Sequence, residues 1–159
     1  MVINYSRKMK GRNSKVFLQI AKFLLILLFT YTGISKLSGH EQFAAQLSME
    51  PNLAPLSLFL SWMFPVAELV TVLFLLFEQT TLLGFLSATF LMTAFTIYVG
   101  GMLIFQSSLP CSCGGVIAQM TWKQHLVFNF FFLCLSFTAL IYHLKQTTQV
   151  ISTNKKEVS

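Results

Sequence analysis

Residues 80–105 read TTLLGFLSATFLMTAFTIYVGGMLIF, with no Asp, Glu, Lys or Arg among them. At ~1.5 Å rise per residue, a helix over this stretch exceeds the roughly 30 Å hydrocarbon core of a bilayer. An uninterrupted apolar run of this length reads as a membrane span rather than a core helix. Three further runs of comparable length lie around it, at about Val16–Leu37, Leu56–Phe77 and Gln124–Leu144. The whole chain agrees with this reading. It is 55% hydrophobic, with 17 Phe, no Asp and only 10% charged residues. A soluble domain carries about 25% charged residues, so lipid must cover what charge does not. The expected fold is an all-α integral membrane protein, with four transmembrane helices in a bundle.

Orientation follows from where the bases lie. Arg7, Lys8, Lys10, Arg12 and Lys15 precede the first span, and Lys145, Lys155 and Lys156 follow the last. The loops on the opposite side carry only Lys36 and Lys123, and the short inner loop carries Glu78 and no base. The positive-inside rule then makes both termini cytoplasmic. The expected organisation is a basic cytoplasmic segment (1–15), a four-helix membrane domain (16–144) and a polar, unstructured cytoplasmic tail (145–159). The first apolar run is too long for a signal-peptide core and no small-x-small site follows it, so it reads as a retained span. Nucleic-acid binding is excluded as the reason for the +6 net charge, because the bases flank the apolar part rather than line a folded face.

Local signals refine the loops. Ser38-Gly39-His40-Glu41 has capping-box spacing, and Phe43 and Leu47 share a face of the short helix expected after it, lying on the outer membrane surface. Thr121-Trp122-Lys123-Gln124 repeats the cap pattern at the start of the fourth span. Tyr31, Trp62, Tyr98 and Trp122 fall toward the outer ends of their spans, as an aromatic belt does. Gly33, Gly84 and Ala88 are small enough to let helices approach closely, and Gly100-Gly101 offers a place to bend. Thr30, Thr32, Ser35, Thr93 and Thr96 read as hydrogen-bonding contacts between helices.

The chemistry-bearing stretch is Pro110-Cys111-Ser112-Cys113-Gly114-Gly115, in the second outer loop. Cys111 and Cys113 lie outside the cytoplasm, where a disulfide can persist. Pro110 restricts the backbone before the pair, and Gly114-Gly115 free it afterwards. A ring with one intervening residue is small and constrained, and strained, exposed disulfides are the labile kind. The pair therefore reads as a dithiol/disulfide that exchanges with another protein or a quinone. A static disulfide, two unrelated thiols and half of a metal site stand as alternatives, although a second cysteine pair to complete a metal site is missing. Cys134, inside the fourth span, reads as a small core hydrophobe.

Two further residues modulate the site in this reading. His125 shares a helix face with Asn129, four residues on. It either tunes a thiol or donates to a quinone oxygen, or else bonds Asn129. Glu68 lies near the middle of the second span, where a carboxylate needs a partner or a proton. Lys22 matches its depth; Lys36 lies closer to the outer surface and fits only if the first helix is shifted. Glu68 reads as a structural ion pair, with a proton relay or quinone-site acid as the functional alternative. Lys22 otherwise snorkels to the inner interface.

Several stretches together resemble a known family. They are Thr32-Gly33-Ile34-Ser35-Lys36-Leu37, Pro65-Val66-Ala67-Glu68-Leu69, Phe95-Thr96-Ile97-Tyr98, the loop from Pro110 to Ile117, and Trp122-Lys123-Gln124-His125 with Leu126-Val127-Phe128-Asn129. They are similar to the bacterial MauE-like membrane proteins, a branch of the DoxX-like superfamily, over roughly residues 17–143. The resemblance implies a four-helix protein of the bacterial inner membrane, with Cys111 and Cys113 on the periplasmic side. It implies a redox-associated role in methylamine utilisation: support for maturation of methylamine dehydrogenase's disulfide-rich small subunit, alongside a thioredoxin-like partner. It supplies no catalytic residue set. Beyond the lipid bilayer, the implied partners are such a thioredoxin-like protein or a disulfide-containing client. No cofactor motif is evident, and a quinone is the class a thiol pair of this kind could use. Two other classes remain: a quinone-coupled thiol oxidoreductase, for which a partner must supply the second thiol pair, and a membrane scaffold or small transporter built on Glu68.

Overall fold

The computed structural model describes residues 2–49, 53–105 and 121–157. Five α-helices account for nearly all of them: α1 (Val2–Ser38), α2 (His40–Ser48), α3 (Ser57–Leu76), α4 (Thr81–Phe105) and α5 (Trp122–Glu157). Short 3₁₀ turns at Ala54–Leu56 and Glu78–Thr80 lead into α3 and α4. Four stretches are long and apolar enough to cross a membrane: Ser14–Ser38, Ala54–Leu76, Glu78–Ile104 and Trp122–Thr148. They match the four expected spans to within a few residues at each end. The chain is a four-helix membrane bundle.

The long helices form a ring. Helix α1 packs on α3, α3 on α4, α4 on α5, and α5 closes back on α1, while α2 lies against α3. Helices adjacent in sequence among the four long ones are thus neighbours in space, as in an up-down bundle. The Gln146 amide donates to Ser14 Oγ at 2.8 Å, so the basic ends of α1 and α5 meet at one end of the bundle. The stretch 145–157, expected to be unstructured, continues α5 instead. Nothing in it breaks a helix, for it contains no Gly or Pro, and Thr147 and Thr148 bond back to the carbonyls of His143 and Leu144.

Burial is arranged for lipid. On α4, Phe85, Ala88, Met92, Val99 and Met102 turn inward, whereas Phe90, Ile97 and Ile104, seven residues apart, form an outward stripe at least 70% exposed. Such a stripe would be an aggregation site in water and is ordinary in hydrocarbon. The core is densest at the end where α1 and α5 carry their bases. Leu25 and Phe29 of α1, Leu75 of α3, Phe85 and Ala88 of α4 and Ala139 of α5 are buried together there. Gly84 makes this possible: a Cβ on it would stand 2.9 Å from the Leu75 backbone nitrogen and 2.7 Å from its side chain. Gly33 does the same for α1 and α3, lying against Leu69 and the Pro65 carbonyl. Helix α4 runs through Gly100-Gly101 without interruption.

Two local expectations are corrected and a third holds. Ser38 does not cap α2: it is the last residue of α1, only Gly39 separates the two helices, and Gly39 makes no side-chain cap bond. The backbone already spans the joint, Gly39 N–H donating to Ser35 O and Phe43 N–H to Gly39 O. Thr32 bonds within α1 while also lying beside Glu68 of α3, and Thr93 and Thr96 bond within α4 rather than across to a neighbour. Each donates to the carbonyl four residues earlier in its own helix, at 3.0, 2.8 and 2.6 Å, the local bond that spares a hydroxyl from facing lipid unpaired. The cap at α5 forms as expected: Thr121 N–H donates to Gln124 Oε1 at 2.9 Å, and Gln124 N–H to Thr121 Oγ1 at 3.4 Å.

Candidate functional site

The other end of the bundle is not filled. A cavity of about 460 Å³ opens between α1, α3, α4 and α5, with α2 across it. This falls in the size range of small-molecule sites, roughly 300–1,000 Å³. Most of its lining is apolar, with a few polar groups among the rings.

Lys36 and Glu68 meet there, Nζ to Oε1 at 2.5 Å. Lys22, the expected partner, lies far down α1, beside His143. The reason is the direction of the side chains rather than the depth of their backbones. Gly33 lies against Pro65 and Leu69, which sets Thr32 at the level of Glu68 and Lys36 one turn further out. In a helix each Cα–Cβ bond tilts toward the helix N-terminus. Helices α1 and α3 are antiparallel, so Lys36 leans toward the end of the bundle where Ser14 and Gln146 meet and Glu68 toward the opposite end, and the one-turn offset closes. The ammonium also lies 4.1 Å from the Phe95 ring centre and 5.5 Å from that of Phe43, a cation–π contact with each. Glu68 is 1% exposed. Its second oxygen, Oε2, has no hydrogen-bond partner among the described residues. Thr32 lies beside the carboxylate, but its hydroxyl hydrogen is directed to the Leu28 carbonyl.

His125 and Asn129 reach the cavity from α5. The His125 ring stacks on Trp122, with centres 6.1 Å apart. The expected bond between His125 and Asn129 is not made: Asn129 is buried, and its Nδ2 has no partner among the described residues. Tyr98 and Trp122 line the cavity, so only Tyr31 and Trp62 of the expected belt are outward and exposed. Cys134 is a free thiol on the exposed side of α5 rather than in the core.

Helix α2 is held over the cavity by contacts the sequence did not announce. The Ser61 hydroxyl donates to Leu58 O at 2.7 Å, so its oxygen accepts from His40 Nε2 at 2.9 Å. The His40 ring also lies 4.3 Å from that of Trp62. Leu47 is buried and Phe43 packs on Phe64. The apolar face of α2 is therefore turned into the protein. The only sequence signal for His40 was its place one residue after Gly39, on the helix that also carries Phe43 and Leu47.

Cys111 and Cys113 lie outside the described residues. The connection that carries them runs from Phe105, the last residue of α4, to Trp122, the first of α5; Trp122, and Met102 three residues before the end of α4, line the cavity. The structure thus brings Glu68 and His125 into one cavity.

A family model described as methylamine utilisation protein MauE matches residues 14–142. The chain belongs to this family. The MauE match takes in all four spans, the Lys36–Glu68 pair, His125 and the Cys111–Cys113 stretch. The protein is accordingly a multi-pass membrane protein of a family linked to methylamine utilisation. No curated protein and no solved structure matches the chain.

Proposed function

We propose that the protein supports thiol–disulfide chemistry on the extracytoplasmic side of a bacterial inner membrane, helping a disulfide-containing client to mature. The client class suggested by the family is a methylamine dehydrogenase subunit, and a thioredoxin-like protein is the suggested partner. The observation that carries this reading is that the MauE match runs through Cys111 and Cys113. The basic ends of α1 and α5, joined at one end of the bundle, support a cytoplasmic location for both termini. With both termini there, the Cys111–Cys113 connection faces the oxidising side in this reading, where a disulfide can persist.

In the proposed exchange, a thiolate of the reduced pair attacks a disulfide of the partner or client. One sulfur–sulfur bond breaks as a mixed disulfide forms, and the second cysteine of the pair resolves it. The pair leaves oxidised and the partner reduced, or the reverse. Cys111→Ser and Cys113→Ser, each expressed alone and run from membranes on non-reducing gels, test this. One of the two should trap a mixed disulfide with a thioredoxin-like protein, absent from the double variant. Unlinked protein in both single variants, together with unchanged client disulfides in the double variant, would overturn the reading.

A further inference from the structure

We propose that the cavity under α2 binds a hydroquinone-class molecule: a flat, neutral ring that carries a hydroxyl and a second ring oxygen. The proposal goes beyond the thiol reading and does not depend on it, since no cysteine enters the argument. Three observations converge on this chemistry. The cavity is lined mainly by the four membrane-spanning stretches, with α2 across it, and has a volume of about 460 Å³, so it suits a small lipid-soluble guest. Its walls are rings, Phe64, Phe95, Phe128 and Trp122 among them, which favour a flat aromatic partner. Two buried polar atoms on its lining residues have no hydrogen-bond partner among the described residues: the Glu68 Oε2 acceptor on α3 and the Asn129 Nδ2 donor on α5.

Unpaired buried polar atoms are rare in native proteins, and each calls for a partner. A lipid acyl chain satisfies neither. An oxidised quinone has only acceptors: it answers Asn129 but sets a carbonyl against a carboxylate oxygen. A hydroquinone answers both, its O–H donating to Glu68 Oε2 and its other oxygen accepting from Asn129 Nδ2. Both atoms are on terminal torsions that are broad in energy, so a small rotation turns either toward the guest. The charge also fits. Lys36 already neutralises Glu68, which leaves no net charge to recruit an anion.

The test uses the full chain in lipid nanodiscs, with Trp62→Phe so that Trp122, on the cavity wall, is the sole tryptophan. A short-chain ubiquinol and the matching ubiquinone are titrated anaerobically, and quenching of Trp122 is read. Saturable quenching is expected, with the quinol binding at least tenfold more tightly than the quinone, a difference of 1.4 kcal/mol. Glu68→Gln should reverse that order, because Lys36 holds the amide oxygen and leaves an N–H facing the guest. Asn129→Leu, of similar size and on another helix, should weaken both ligands about tenfold, and it carries the test if Glu68→Gln does not fold. Dodecylbenzene, which has no oxygens, should not compete. Non-saturable quenching, effective competition by dodecylbenzene, or affinities unmoved by both variants would each overturn the proposal, leaving the cavity to water or lipid tails.

Discussion

Removing Lys36 should harm the fold more than removing Glu68, although the two form one ion pair. Lys36→Met leaves a carboxylate that is 1% exposed with no counter-charge. Breaking a buried pair from one side costs about 3–5 kcal/mol. Glu68→Leu leaves a different remainder. The Lys36 side chain is 22% exposed and keeps its place over Phe95 at 4.1 Å. That contact recovers about 1–2 kcal/mol for a desolvated cation, and the long stem lets the ammonium move toward the nearby end of α1. The expected cost of Glu68→Leu is therefore about 1–3 kcal/mol. The double variant Lys36→Met/Glu68→Leu should fall within about 1 kcal/mol of the parent, because replacing both members of a buried pair with apolar groups is often neutral. SDS unfolding of the protein in micelles, followed by near-UV circular dichroism, measures all three, with Lys22→Met as a control expected below about 1 kcal/mol. The account is wrong if Lys36→Met is no worse than Glu68→Leu, or if the double variant is less stable than either single one.

Two further outcomes test the packing. Gly84→Ala places a methyl group against the Leu75 backbone; it should cost about 1–3 kcal/mol in the same assay, whereas Gly101→Ala, with nothing within 4 Å, should not. Thr121→Ala removes the hydroxyl that accepts from Gln124 N–H, leaving the backbone half of the cap at the head of α5, and the first turn of α5 should lose hydrogen-exchange protection by an amount equivalent to about 0.5–2 kcal/mol. Unchanged exchange there would mean that the membrane boundary, not the cap, starts the helix.

The fold could be read from the sequence because each helix carries its own signal. Four long apolar runs demand spans, and the Thr121–Gln124 cap, Gly84 and Gly33 act through neighbours close in sequence or through size alone. The site was read less completely because its pairings depend on rotation and register between helices. Glu68 announced that a carboxylate needed a partner. Depth along the span suggested Lys22, while the direction of side chains on antiparallel helices delivers Lys36. Tyr98 and Trp122 have the composition of a membrane belt, and only the rotation of α4 and α5 turns them into the cavity. His40 and Ser61 are unremarkable residues in the sequence, and become a clasp only when α2 folds back over α3.

The two ends of the bundle are built on opposite principles, and the ion pair lies toward the open one. At the closed end, Gly84, Ala88 and Ala139 let helices approach until Leu25, Leu75 and Phe85 are fully covered. At the open end, large rings on α3, α4 and α5 face one another without filling the space, and α2 covers them. Uniform small-residue packing would have closed the bundle along its full length and left no room for a guest. A continuous cavity would have exposed the carboxylate without support. Glu68 lies at the level of Thr32 and three residues from Pro65, whose ring removes a backbone donor from α3 there. The dense half holds the helices, and this ion pair fixes the register at which the open half begins. Substitutions below it should therefore change stability with little effect on ligand binding, and conservative ones above it should do the reverse.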